Sequence, residues 1–313
     1  MIKRRDFMIA AAAGSAATLS GIQGAPAQDR SEATPALGSK SGDFALALGG
    51  GAAKAFAHIP ILEAMDELGV QPAVMSGTSM GAILGAFYSS GMTGGEIREY
   101  ALDLLTQKTE LFRKLFLSDG KTWSSLLDLG RPSIIDPVVL FETIFPDMLA
   151  QNFADLRIPM KIIATDFYNQ SQVTLTEGPL LPAIAASSAL PMLLTPVQIN
   201  RRILIDGGFV NPTPFDVLRD TGYLTVGVDV TGSEYSEQQD LPSGMETWIG
   251  SFSITLHSLV AAKLAVSQPD LLIEPAIGGF STMDFFKIED ILEAAAPSKD
   301  EFKRGLTLLL DAR

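Results

Sequence analysis

The chain has 313 residues, 47% of them apolar and 19% charged, and its formal net charge is −13. This length and apolar content are enough to bury a large core, which excludes a wholly disordered chain. The acidic balance disfavours nucleic acid as a partner, because phosphate binding needs clustered Lys and Arg. With no cysteine and only two histidines, disulfides, thiolate nucleophiles and a metal or other cofactor held by Cys or His are not expected.

The N-terminal segment has the pattern of an export signal. Arg4 and Arg5 precede a mildly apolar, alanine-rich run over 7–22, and small residues at 25–27 offer a cleavage position. We expect 1–27 to be a cleavable signal of the twin-arginine type, which would send the protein to the periplasm or outside the cell. A packed helix or a membrane anchor is the alternative, although the run is short for a bilayer span.

Beyond this segment the chain alternates strands and helices. The polar stretch 28–41 predicts a flexible leader, and 42–313 contains no internal linker, so one domain is expected there. Glycine turns separate the apolar runs, an order typical of a mainly parallel sheet covered by helices, the α/β/α class. The expected strands are 44–48, 73–75, 161–164, 203–205, 224–228 and 271–273, and the expected helices are 52–68 and about 82–90.

Ser79 lies in the sequence Gly77-Thr78-Ser79-Met80-Gly81, which fits G-x-S-x-G. A serine on a tight turn between a strand and a helix exposes its hydroxyl, and flanking Gly77 and Gly81 allow neighbouring backbone to approach. The N-terminus of the following helix favours developing negative charge. The motif predicts a nucleophilic serine, with an ordinary helix N-cap as the alternative.

A glycine run at 49–51 follows the first strand and offers free backbone N–H groups. A phosphate loop would need a following G-K-[ST], and a dinucleotide site would need a third glycine; neither is present. An oxyanion hole needs only N–H donors near a serine. Since neighbouring parallel strands would bring this turn beside Ser79, an oxyanion hole is favoured over a nucleotide site.

Asp206 follows the expected strand 203–205 and precedes Gly207 and Gly208. The carboxyl end of a buried strand is where α/β sheets assemble their sites. The two glycines permit a close pass of backbone. Asp206 is therefore a candidate base, and a turn aspartate that binds local N–H groups is the alternative.

Together these motifs resemble the patatin-like phospholipase family over about 42–230. The resemblance covers the glycine segment with its basic residue at 49–54, the elbow around Ser79, the stretch 185–191 and the Asp206-Gly207-Gly208 triplet. It implies a parallel-sheet sandwich related to the α/β hydrolases. It also implies a lipid acyl hydrolase that needs no metal or organic cofactor, acts on lipid or phospholipid and touches a membrane surface transiently.

The resemblance also implies roles for individual residues. Ser79 would be the nucleophile and Asp206 would take its proton, giving a Ser–Asp dyad that works through an acyl-enzyme. An oxyanion hole would form around Gly50, Gly51 and Ala52, with Lys54 beside it. Ala55 stands where the family usually has glycine, which leaves open a catalytically weak or inactive lipid-binding protein on the same fold.

Two further segments leave alternatives open. Ser79, Asp206 and His257 follow the chain order of a Ser–Asp–His triad, but His257 lies in the middle of a predicted helix, whereas such a histidine usually lies on a loop. His58 is expected to be a packed or capping residue. The apolar stretch 111–117 carries two basic residues and predicts either a lid or a core-facing helix.

Overall fold

The computed structural model describes residues 40–107, 135–232 and 241–312. The expected export signal at 1–27 and the apolar stretch 111–117 lie outside this part of the chain. Of the expected leader, 28–41, only Lys40–Ser41 is described, and these two residues form a short strand that pairs in parallel with Val70–Gln71.

The described residues contain ten strands and seven α-helices. The strands are β1 Lys40–Ser41, β2 Phe44–Leu48, β3 Val70–Gln71, β4 Val74–Thr78, β5 Met160–Asp166, β6 Ser171–Leu175, β7 Val197–Ile199, β8 Arg202–Asp206, β9 Leu224–Val228 and β10 Leu271–Ile273. The helices are α1 Ile59–Leu68, α2 Met80–Ser90, α3 Gly94–Gln107, α4 Pro137–Ile144, α5 Leu180–Ser187, α6 Gly244–Val266 and α7 Ile288–Asp311. Short 3₁₀ helices are Ala52–His58, Phe153–Asp155, Gly207–Phe209, Asp216–Thr221 and Phe285–Lys287.

The first helical segment differs from the expected single helix over 52–68. It begins as the 3₁₀ helix Ala52–His58, and α1 begins only at Ile59, where Pro60 lies in its first turn. Proline has no N–H to donate, so it fits the first turn of an α-helix and not its interior. The helix ends as predicted at Gly69, whose φ of 64° is readily adopted by glycine.

The central sheet has eight strands in the order β10-β9-β2-β4-β5-β8-β7, and β6 pairs with the remaining edge of β5. Strands β10, β9, β2, β4 and β5 run parallel. Along β2, Leu46 and Leu48 face the main core, whereas Ala45 and Ala47 face a smaller cluster with Phe215 on the other side of the sheet. The predicted class, α/β with a mainly parallel sheet, is confirmed.

Strand β8 departs from the predicted parallel arrangement. The sequence predicts one more parallel strand at 203–205, but β8 runs antiparallel to β5, with Asp206 opposite Ala164. Strand β4 runs parallel to the first half of β5 and ends with Thr78 opposite Ile163. Because β6 pairs with the other edge of β5, β4 and β8 share one edge and meet end to end. Asp206 therefore reaches the end of β4 from the opposite direction.

Replacing Phe302 of α7 by Ala is expected to lower the free energy of unfolding by about 3–5 kcal/mol, since burial is lost and a cavity remains. The ring is fully buried in the main core. Leu308→Ala on the same helix is the matched control; this side chain is 71% exposed, and the change should stay within about 0.5 kcal/mol. Denaturant unfolding followed by circular dichroism measures both. Equal losses would contradict the described packing of α7.

Candidate active site

Ser79 lies on the turn between β4 and α2 and has a strained backbone. Its φ of 53° and ψ of −125° are outside the regions that side-chain-bearing residues favour, which costs on the order of 1–3 kcal/mol. It occupies the N-cap position of α2, and its side chain makes no capping bond. The hydroxyl is therefore directed away from the helix and is available for other contacts.

The flanking glycines are required by close backbone contacts. A methyl group on Gly77 would lie 2.7 Å from the Ala82 Cα, and one on Gly81 would overlap the carbonyl oxygens of Leu48 and Gly49. These distances are shorter than van der Waals contact, so a larger residue at Gly77 would push α2 away from β4, and one at Gly81 would push it away from the end of β2. The glycines thus hold the Ser79 turn against the glycine run at 49–51.

Asp206 accepts a hydrogen bond from Ser79. The Ser79 Oγ lies 2.7 Å from Oδ2 of Asp206, and the Gly208 N–H donates to Oδ1 at 2.7 Å. The carboxyl is 2% exposed. Burial raises the pKa of Asp206 to about 6, while the hydrogen bonds from Ser79 and Gly208 act in the opposite direction. The carboxyl is therefore mainly ionised at neutral pH yet a stronger base than an exposed aspartate.

The glycine run at 49–51 lies against Ser79, and its first two N–H groups donate to backbone carbonyls. The Gly49 N–H donates to Val228 and the Gly50 N–H to Pro212, at 3.0 and 2.9 Å. Among the described residues, the N–H groups of Gly51 and Ala52 have no acceptor. Of the predicted oxyanion-hole donors Gly50, Gly51 and Ala52, only Gly51 and Ala52 therefore keep an available N–H group. The Gly50 N–H already donates to the Pro212 carbonyl.

Lys54 and His58 lie behind the glycine run. The Lys54 ammonium donates to the Gly232 carbonyl, and the residue does not line the cleft beside Ser79, so its predicted place at the oxyanion hole is not supported. The His58 Nε2 lies 2.7 Å from the Gly49 oxygen and must donate to it. Burial lowers the pKa of His58 to about 4, so a neutral ring holds the glycine run in place.

The sequence did not single out Ser187, yet it contacts the Ser79 turn. Its hydroxyl accepts the Ser79 N–H at 2.8 Å and donates to the Ile163 carbonyl at 2.5 Å. It is fully buried at the end of α5. The family resemblance includes the stretch 185–191, which contains Ser187, but it assigned no role to the Ser187 hydroxyl.

An apolar cleft opens beside Ser79 and Asp206, with a cavity volume of about 130 Å³. Its described lining contains no Lys or Arg, which disfavours a nucleotide phosphate there. Ser188 is a polar exception: its hydroxyl is buried and has no partner among the described residues. The side chains that line the cleft from α3, from α4 with the residue after it, and from the segment 190–194 are Ile97, Tyr100, Ala101, Leu104, Leu105, Leu140, Phe141, Ile144, Phe145, Leu190, Leu193 and Leu194.

Two other residues singled out from the sequence, His257 and Ala55, do not line the cleft beside Ser79 and Asp206. His257 is exposed in the middle of α6, and both oxygens of Asp206 are already occupied by Ser79 and Gly208. The Ser79–Asp206–His257 triad is therefore not formed. Ala55 is fully buried in the main core, so its methyl group does not enter the cleft. Within the described ranges, no group of three or more His, Asp or Glu side chains is placed to hold a metal ion.

Asp206→Asn is expected to become more stable relative to wild type as the pH rises. Burial raises the folded-state pKa to about 6 from 3.8, so the folded protein binds this proton more tightly than the unfolded chain. Protonation of Asp206 therefore stabilises the folded wild-type protein by on the order of 3 kcal/mol at pH values below the unfolded-state pKa. This stabilisation is lost as the pH rises through the folded-state pKa.

Denaturant unfolding of both proteins across the acidic to neutral range measures this trend. Asp220→Asn, at an exposed carboxyl, is the control. A wild-type to Asp206→Asn difference that stays constant with pH would contradict the burial of an ionised carboxylate.

Sequence comparison relates the chain to known proteins. A model described as patatin-like phospholipase matches residues 46–219, more than half of the chain. An NTE family protein of Mycobacterium tuberculosis is 32% identical over 239 residues, which cover 74% of this chain and 62% of that protein. Patatin-like phospholipase domain-containing protein 6 of Homo sapiens is 26% identical over 277 residues, 80% of this chain and 19% of that protein.

Two solved structures also match. VipD from Legionella pneumophila has a TM-score of 0.42 and 12% identity, covering 83% of this chain and 66% of that one. The type III effector protein ExoU has a TM-score of 0.39 and 14% identity, covering 86% and 54%. The chain spans 62% of the length of its mycobacterial relative. On the match over 46–219, the chain belongs to the patatin-like phospholipase family.

Proposed function

We propose that this protein is a serine acyl hydrolase that cleaves fatty acyl esters of lipids. The observation that carries the proposal is the 2.7 Å hydrogen bond from Ser79 to the buried carboxylate of Asp206, at an apolar cleft. Membership of the patatin-like phospholipase family supports a lipid ester as substrate. Phospholipid and lysophospholipid are the substrates we expect.

Ester cleavage begins with proton transfer from Ser79 to Asp206. As the Ser79 oxygen attacks the ester carbonyl carbon, the Asp206 Oδ2 accepts the hydroxyl proton. The raised pKa of Asp206 supports this role, because a stronger base takes the proton more readily. The Gly208 N–H keeps the carboxylate oriented. The protonated carboxyl then gives the proton to the departing alcohol.

Two N–H groups are positioned to stabilise the tetrahedral intermediate. The Gly51 and Ala52 N–H groups have no internal acceptor in the described structure and lie in the run that contacts Ser79. Donors of this kind are worth about 2.7–4 kcal/mol each in transition-state stabilisation. The Ala52 backbone, with φ of 48°, is held in a conformation that alanine rarely adopts, which fits a positioned donor.

The acyl-enzyme on Ser79 is then hydrolysed by the same pair. Water enters, Asp206 takes its proton, and the new oxygen attacks the acyl carbon. The carboxyl returns the proton to the Ser79 oxygen, and the fatty acid leaves. The apolar walls of the cleft would hold the acyl chain during both steps, since burying methylene groups there is favourable.

A catalytically inactive lipid-binding protein is the alternative that Ala55 suggested from the sequence. The position of Ala55 in the core removes the reason to expect a distorted oxyanion site. Labelling by a fluorophosphonate distinguishes the two functions. An activated Ser79 reacts covalently, whereas a binding protein retains fatty acid without reacting.

Ser79→Ala and Asp206→Asn are each expected to lower kcat/KM for a medium-chain nitrophenyl ester by at least about 10³-fold, because nucleophile and base act as one unit. Ser171→Ala, at an exposed serine of β6, is the matched control and should retain wild-type activity. Steady-state kinetics on folded proteins measures all three. Undiminished hydrolysis by Ser79→Ala would refute Ser79 as the nucleophile.

The pH dependence of kcat/KM is expected to follow ionisation of Asp206. Activity should rise with pH to a plateau, with an apparent pKa of about 6. Below that value the rate should fall about tenfold for each pH unit, because the protonated carboxyl cannot accept the Ser79 proton. Single-turnover hydrolysis of the nitrophenyl ester measures this profile. A flat profile through this range would contradict Asp206 as the base.

A further inference from the structure

Ser188 has a buried hydroxyl group with no hydrogen-bond partner among the described residues. The residue is 7% exposed and lines the cleft that holds Ser79 and Asp206. A buried hydroxyl without a partner lowers stability, because it has lost its hydrogen bonds to water and gained none in return. Native proteins pair most buried polar groups, so an unpaired one beside a candidate active site points to a ligand.

Backbone hydrogen bonds fix the position of Ser188. The residue directly follows α5, and its N–H donates to the Ile184 carbonyl at 3.0 Å. Its carbonyl accepts the Leu190 N–H at 2.8 Å. Both backbone groups are therefore paired, and the hydroxyl is the polar group of this residue that lacks a partner in the described chain.

The residues on either side of Ser188 contact the two members of the dyad. Ser187 accepts the Ser79 N–H at 2.8 Å, and the Ala189 carbonyl accepts the Asp206 N–H at 3.1 Å. Ser188 is thus anchored between the turn that carries the nucleophile and the strand end that carries the base. This places its hydroxyl at the reacting end of the cleft.

The sheet places Ser188 and the glycine run at 49–51 on opposite sides of β4, the strand that leads to Ser79. Strand β4 pairs with β2 along one edge and with β5 along the other. The glycine run follows β2, whereas α5, which ends beside Ser188, packs against β5 and β8. The available N–H groups of Gly51 and Ala52 and the hydroxyl of Ser188 therefore reach the Ser79 region from different directions.

The substituents of a tetrahedral intermediate need different surroundings. Besides its bond to Ser79, the acyl carbon carries the oxyanion, the acyl chain and one further oxygen, from the alcohol or from water. The Gly51 and Ala52 N–H groups suit the oxyanion, and the apolar walls suit the acyl chain. The further oxygen must lie near Asp206, which exchanges a proton with it. Ser188 offers that oxygen a hydroxyl on the Asp206 side of β4.

We propose that the Ser188 hydroxyl binds the oxygen that leaves and enters at the acyl carbon. This inference rests on the proposed hydrolase function and adds a substrate-binding group to it. A serine hydroxyl can both donate and accept. In acylation it donates to the alcohol oxygen as Asp206 protonates that oxygen. In deacylation it accepts one O–H of the water while Asp206 takes the other proton, which leaves a lone pair of the water free to attack.

Rapid-quench kinetics of Ser188→Ala with a nitrophenyl ester tests the proposal. Nitrophenolate departs without a proton, so its burst should keep about the wild-type rate. Decay of the acyl-enzyme on Ser79, followed by mass spectrometry, should slow about tenfold, because the attacking water loses one hydrogen bond. Ser171→Ala, at an exposed serine, is the control and should match wild type in both steps.

Denaturant unfolding separates substrate binding from a structural role. Ser188→Ala should unfold at an equal or higher denaturant concentration than wild type, because a buried hydroxyl without a partner is removed. Ser187→Ala, the same change at the neighbouring serine, should unfold at a lower concentration. In that variant the Ser79 N–H and the Ile163 carbonyl each lose a partner.

Two results would overturn the role of Ser188. One is an acyl-enzyme that decays equally fast in wild type and Ser188→Ala. The other is a loss of stability in Ser188→Ala comparable to that in Ser187→Ala, which would identify a structural partner for the hydroxyl. A wild-type protein that forms no acyl-enzyme on Ser79 would instead refute the proposed function, and this inference with it.

Discussion

Two strands of opposite direction share one edge of β5, and the positions of Ser79 and Asp206 depend on that arrangement. Strand β4 ends opposite Ile163 and β8 ends opposite Ala164, so Ser79 and Asp206 follow strand ends that meet. Backbone pairing fixes this distance more rigidly than side-chain packing alone could, because each strand is held by its ladder of hydrogen bonds. Ser187 strengthens the junction, since one hydroxyl binds both β5 and the Ser79 turn.

Burial of Asp206 has two opposite effects, one on its basicity and one on the stability of the folded protein. A carboxylate removed from water has a raised pKa, which makes it a better proton acceptor and destabilises the folded protein at neutral pH. The strained backbone of Ser79 is a second local cost. Neighbouring hydrogen bonds hold this site in place. The Gly208 N–H donates to the Asp206 carboxylate, and His58 donates to the Gly49 carbonyl.

Helix α6 lies between the cleft beside Ser79 and the protein surface. Phe252 and Leu256 of this helix line the cleft, while Ile254 is exposed on the opposite side of the helix. The helix therefore closes one side of the apolar cleft, while most of its residues stay in contact with water.

The sequence by itself determined the fold class, the main strands and the Ser79 turn, since these depend on local patterns of apolar residues and glycines. It also determined the family, through motifs whose order and spacing agree with it. Only the tertiary structure decided the antiparallel direction of β8, the use of the Gly50 N–H by Pro212 and the contact of Ser187 with Ser79. The composition of α6 likewise did not indicate that most of this helix would be exposed to water. Each of these depends on partners far apart in the chain, and a local pattern records which groups are available but not which distant group will satisfy them.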